Sequence, residues 1–82
     1  MSYHLTEIPK GELGELSKIQ EELSEAVDAE QQECKIMLLC ELSDMVGAVE
    51  AYLAKHFPGM TLNDLFCMSK ITKRAFDSGR RT

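Results

Sequence analysis

The sequence predicts an all-α protein: a three-helix subunit that completes a four-helix-bundle-like core by oligomerisation. Three observations carry this expectation. Apolar residues recur at spacings of three and four along most of the chain, the mark of amphipathic helices. The interruptions fall at turn formers, most clearly Pro58 and Gly59. The second of the three segments is apolar nearly all round, which is more surface than two companion helices can cover.

Residues 1–10, MSYHLTEIPK, show no period and read as an N-terminal arm. From Gly11 onward Leu13, Leu16, Ile19, Leu23, Ala26 and Val27 predict a helix over about 11–30 with these residues as its core arc. The polar AEQQE then supplies a short turn. A second helix is expected from about Gln32 to His56, ended by FPG. Its main apolar arc is Leu38, Leu39, Leu42, Met45, Val46, Val49 and Leu53. Its other side holds Ile36, Met37, Cys40, Ala48, Ala51 and Tyr52 together with Glu41 and Asp44. Thr61 and Asp64 form a capping-box variant opening a third helix to about Asp77. Ser78 and Gly79 close it, and 78–82 is a basic tail. The chain 1–82 reads as a single domain, with a helical core over 11–77 and no internal repeat.

The net charge of −5 argues against non-specific nucleic-acid binding. The acids gather between Glu12 and Glu50, whereas Lys70, Lys73, Arg74, Arg80 and Arg81 crowd the C-terminal end. The cysteines Cys34, Cys40 and Cys67 form no CxxC pair, and Cys34 and Cys40 fall within apolar helical pattern. That predicts free thiols in a reducing, cytoplasmic setting. The two histidines, His4 and His56, have no cysteine partners spaced for zinc. No signal peptide and no membrane partner are expected, because no long apolar run is present.

Two acidic groups stand out. EELSE places Glu21, Glu22 and Glu25 on the first helix, and ELSD places Glu41 and Asp44 on the second. Glu22 and Glu25 are i, i+3 and flank the expected core arc, while Glu21 and Asp28 point further out. Glu41 and Asp44 are also i, i+3, and lie among apolar neighbours. Carboxylates in such surroundings must be paired, neutral or bound to a cation. An antiparallel hairpin would bring Glu22, Glu25, Glu41 and Asp44 together, and oxygen-only ligands suit Mg²⁺, Mn²⁺ or Ca²⁺ rather than zinc. Against this, EExxE alone is usually a solvated helix face, and ExxD in an apolar helix can pair with a base of a neighbouring subunit.

EELSE followed by ELSD resembles the ExxE…ExxD signature of the MazG-type all-α nucleoside triphosphate pyrophosphatases, over about Gly11 to Phe76. SKITKRAF is similar to the basic segment that follows in that family, with Lys70, Lys73 and Arg74 in the matching places and Met68 where an asparagine is frequent. The resemblance implies Mg²⁺-dependent (or Mn²⁺-dependent) conversion of an NTP or dNTP to the monophosphate and pyrophosphate, in a nucleotide-pool or house-cleaning role. It implies metal ligation by Glu22, Glu25, Glu41 and Asp44, with Glu21 a further candidate, and catalysis through Glu22 or Glu25. Lys70, Lys73 and Arg74 would bind the triphosphate. Lys18 is either a phosphate contact or an i, i+4 partner of Glu22. The implied assembly is a homodimer or a dimer of dimers. Two rival readings stay open: a phosphoribosyl-ATP pyrophosphohydrolase-like enzyme, and a non-catalytic helical dimerisation or binding module. Tyr3, His4, Tyr52 and His56 serve equally well as base-stacking or packing residues.

Overall fold

A computed structural model describes residues 4–77, apart from the side chains of Ala75 and Phe76. Tyr3 and the basic tail 78–82 lie outside the described residues. Among those described there are three helices and no strand: α1 (Leu16–Gln31), α2 (Lys35–His56) and α3 (Leu62–Asp77). No helix is long and apolar enough to cross a membrane among the described residues.

The first helix starts later than the apolar spacing predicts. Leu13 and Gly14 form a turn ahead of it, and Gly14 takes φ 93°, in the left-handed region that favours glycine. Gly11 passes so close to α1 that a Cβ would overlap the Ser17 carbonyl. Its N–H donates to Glu21 Oε1 at 2.8 Å, and the Glu12 N–H donates to Ser17 Oγ at 3.0 Å. Farther back, the Leu5 N–H donates to both Asp28 carboxylate oxygens at 2.9 and 3.0 Å. The arm therefore runs back along α1, antiparallel to it. Gly11→Ala is expected to lift the arm and cost about 1–3 kcal/mol. A lowered Tm and faster proteolytic cleavage ahead of α1 would report it.

The α1–α2 turn is Gln32–Cys34, shorter and later than AEQQE. The N–H groups of Gln32, Glu33 and Cys34 donate to the carbonyls of Asp28, Glu30 and Ala29 at 3.1, 3.0 and 3.3 Å. Glu33 reverses the chain at φ 58°. At the other end of the hairpin Lys55 Nζ and His56 donate to Glu15 at 2.6 and 2.8 Å, tying the start of α1 to the end of α2.

The face that packs inside this hairpin takes in only part of the expected arcs, Ala26 and Leu53. The buried apolar side chains are Ala26, Ala29, Ala48 and Leu53. Leu16, Leu23 and Val27 of the expected α1 core are 61%, 52% and 47% exposed, and Leu13 is exposed as well. On α2 Ile36, Leu39, Leu42 and Val46 are exposed, while Glu41 and Ala48 are buried. At 100° per residue the exposed α1 trio spans about 40° of its helix and the exposed α2 residues about 120°. Two leucine-rich stripes thus face outward, and alanines with carboxylates fill the contact. Alanine at Ala26, Ala29 and Ala48 allows the close approach. All three cysteines are free thiols, as expected, but Cys34 and Cys40 are exposed rather than packed.

The third helix opens with the expected capping box. Thr61 N–H and Oγ1 donate to Asp64 Oδ2 at 2.8 and 2.9 Å, and the Asp64 N–H returns a bond to Thr61 Oγ1 at 3.3 Å. Beyond that start α3 touches α2 slightly, and among the described residues it makes no contact with α1. The radius of gyration, 14.9 Å, exceeds the roughly 12 Å of a compact chain this long. Phe66, Met68 and Ile71 of α3 are exposed.

Candidate metal centre

Because α1 and α2 meet through their acidic sides, the carboxylates converge. Oxygens of Glu22, Glu41 and Asp44 lie within 4.8 Å of one another, as do those of Glu21, Glu22 and Glu25. Glu25 and Glu41 also meet the imidazole of His4 within 4.8 Å. Glu22 and Glu41 are only 5% and 3% exposed, Glu25 is half-buried, and Asp44 is at the exposed rim. Glu22 Oε2 and Glu41 Oε2 are buried with no hydrogen-bond partner.

Such orphaned oxygens belong to carboxyls that are either neutral or facing a cation. Leaving a buried charged acceptor unsatisfied costs about 1–3 kcal/mol or more. A hard divalent cation takes several carboxylate oxygens at once and removes that cost. The cluster could hold a hard divalent cation, with Glu22, Glu41 and Asp44 converging on one point and Glu25 beside them, close to Glu21 and Glu22 and to Glu41 and His4.

Electrostatics divide the acids by role. Burial, followed by the neighbouring Glu25 carboxyl, pushes Glu22 above the ordinary carboxylate range, and Lys18 only partly opposes this. Burial, then Glu41 beside it, pushes Glu25 up as well. Glu21 moves the other way: the Gly11 N–H bond is the main cause, burial opposes it, and Lys18 and Lys10 add to the lowering. The expected outward placement of Glu21 is thus corrected. It is 4% exposed, buried beneath the arm it anchors. Asp28, also expected to point outward, is buried too and accepts from His4 Nδ1 at 2.9 Å, from Gln32 Nε2 at 2.8 Å and from the Leu5 N–H. Burial acts to raise its pKa, but these bonds outweigh burial and leave it lowered.

These opposite shifts predict the pH dependence of the metal-free protein. Between the ordinary value of 4.5 and their raised values, Glu22 and Glu25 hold more protons folded than unfolded. Stability therefore rises as the pH falls through that window. The contribution of Glu21 is present above 4.5 and is lost as the pH falls through its lowered value. In a chelator the Tm is expected to peak at mildly acidic pH and fall on either side. A Tm that only declines from neutrality downward would contradict this.

The basic candidates are distributed differently. Lys18 Nζ lies 3.2 Å from Glu21 Oε1 and 3.2 Å from Glu22 Oε1, so it pairs with the acids of its own helix. Lys73 pairs with Asp77 at 2.8 Å on the exposed surface of α3. Lys70 and Arg74 are exposed, in no ion pair among the described residues, and on a helix that does not touch α1. One chain alone does not bring them to the carboxylates. Tyr52 stacks on His56 with ring centroids 4.4 Å apart, which accounts for both rings by packing.

No protein-family model matches this chain, and neither a curated protein nor a solved structure matches it. What the cluster can do follows from its own atoms. The sequence reading named His4 and Asp28 but did not place them beside the cluster. The arm residue and its anchor are 24 positions apart, and no local period connects them.

Proposed function

We propose that the chain is a divalent-cation-dependent pyrophosphohydrolase that converts an NTP or dNTP to the monophosphate and pyrophosphate. The observation that carries the reading is the convergence of Glu22, Glu41 and Asp44 from two helices, with two buried carboxylate oxygens unpaired. Glu22, Glu25, Glu41 and Asp44 would hold Mg²⁺ or Mn²⁺. When bound, the ion supplies positive charge to phosphate oxygens and to the leaving pyrophosphate.

The chain's own residues have distinct tasks in this scheme. Glu22 or Glu25, whose proton affinity burial raises, orients the attacking water and accepts its proton. Lys18 keeps Glu22 Oε1 fixed, while Glu21 holds the arm. Lys70, Lys73 and Arg74 would bind the phosphates, Arg74 through its planar fork. Since α3 stands away from α1, this requires an assembly that brings α3 of another chain over the hairpin. The exposed stripes of α1 and α2 favour such a homodimer or dimer of dimers, and pairing them across copies would complete a four-helix core. A cytoplasmic nucleotide-pool role fits this chemistry.

The stripes equally favour a second reading, a non-catalytic helical dimerisation module. Turnover decides between them. A panel of NTPs and dNTPs with phosphoribosyl-ATP, assayed with Mg²⁺ in ¹⁸O-water, is expected to give pyrophosphate and label in the monophosphate. Preference for phosphoribosyl-ATP would reassign the substrate. Label in orthophosphate, or no turnover of any of them, would overturn the hydrolase.

A further inference from the structure

We propose that His4, Glu25 and Glu41 form a nitrogen-containing site for a divalent transition-metal ion, with Mn²⁺, Fe²⁺, Co²⁺ or Zn²⁺ preferred to Mg²⁺. This deepens the cation reading of the hairpin and rests on that reading, not on hydrolysis. The first observation is placement. The docked arm carries His4 to the side of the carboxylate cluster, where one ring nitrogen and oxygens of Glu25 and Glu41 lie within 4.8 Å of one another. Ligands bonded at about 2.0–2.2 Å to one ion stand about 3–4.4 Å apart, so small side-chain movements close the site. His4 Nε2 is already 3.9 Å from Glu25 Oε1, too long for a hydrogen bond and suited to two ligands of one ion.

The second observation is Glu41 itself, more than nine-tenths buried, with one oxygen within 4.8 Å of this imidazole and with Oε2 lacking a hydrogen-bond partner. The third is how the ring is held. Asp28 acts as acceptor, so the proton facing it sits on Nδ1, which donates at 2.9 Å and turns Nε2 toward Glu25. Asp28 is fixed in turn by the Leu5 N–H and by Gln32. Carboxylate–histidine pairs of this kind orient metal-bound imidazoles and raise their basicity. A nitrogen ligand favours the later first-row ions over Mg²⁺, which prefers oxygen and retains its waters. Between arm residues 4–10 and Glu25 an open cleft of about 550 Å³ supplies access.

The test uses the full chain loaded with Mn²⁺ alone and pulsed EPR. Imidazole bound to Mn²⁺ is expected to give ¹⁴N modulation, replaced by a ¹⁵N pattern when the protein's histidines are ¹⁵N-labelled. The coupling should persist in His56→Gln and vanish in His4→Gln. His4→Gln should also weaken Mn²⁺ binding about 10–100-fold, with Mg²⁺ binding changed far less. The labelling experiment leaves the fold intact, so it decides even if a variant fails to fold. Bound Mn²⁺ without histidine coupling, or coupling that survives in His4→Gln, would overturn this inference and leave the oxygen-only site standing. Failure to bind Mn²⁺ at all would overturn both.

Discussion

Glu41→Gln is expected to leave the metal-free protein at least as stable as the parent while abolishing its response to divalent cations. The side chain is buried among Glu22, Glu25 and Asp44 or His4, and one of its oxygens has no partner. An amide of the same shape removes a charge and offers N–H donors to the neighbouring carboxylates. The gain is on the order of 1 kcal/mol, or about 4–8 °C in Tm for a domain of this size. Mg²⁺ or Mn²⁺ should no longer raise the Tm, because stabilisation by binding disappears with the ligand. Hydrolysis should fall at least about 100-fold. Asp44→Asn, at the exposed rim, should lose the cation response with little change in metal-free stability. The opposite pattern has a clear meaning. A carboxylate paired with a buried base would cost about 3–5 kcal/mol on neutralisation, with or without the ion. Such a drop in Glu41→Gln would remove the metal reading at that position.

The second large effect concerns assembly. Leu23→Asp on α1 or Leu42→Asp on α2 places a charge in a leucine stripe that the single chain leaves open. Were these surfaces solvated in the working protein, either change would fall within about 0.5 kcal/mol of neutral. If the stripes pack against a second copy, each loses about 2–5 kcal/mol of buried leucine and adds a desolvated charge. Light scattering should then show the parent at a multiple of 9.2 kDa and the variants dissociated, with a strongly lowered Tm. A folded parent of 9.2 kDa at micromolar concentration would contradict the assembly.

How legible these features are depends on the range of the interactions behind them. The Thr61–Asp64 capping box is a bond between residues three apart, and it could be read directly. The helix count followed from period and breakers. The start of α1 did not, because Leu13 keeps the apolar spacing while Gly11 and Gly14 follow the geometry of the arm. The wheel separated two sides of α2, and the expected hairpin turns the side with Glu41 and Asp44 toward Glu22, as observed. The expected arcs hold at Ala26 and Leu53, which are buried, and fail at Leu16, Leu23, Val27, Leu39, Leu42 and Val46, which are exposed. The available signal was residue size: Ala26, Ala29 and Ala48 lie on the acidic sides, where only small residues allow close approach. Glu21 and Asp28 were placed outward because the arm was treated as separate from α1, although it covers them both. That docking is a contact across 23 residues, which no local pattern encodes.

The central claim is that the buried carboxylates between α1 and α2 exist to hold a divalent cation. Equilibrium dialysis of the chelator-treated full chain against Mn²⁺, at neutral pH and constant ionic strength, tests it most directly. The account predicts saturable binding of at least one ion per chain, competed by excess Mg²⁺ and reduced at least about tenfold in affinity by Glu41→Gln. Retention of Mn²⁺ no greater in the parent than in Glu41→Gln would contradict it.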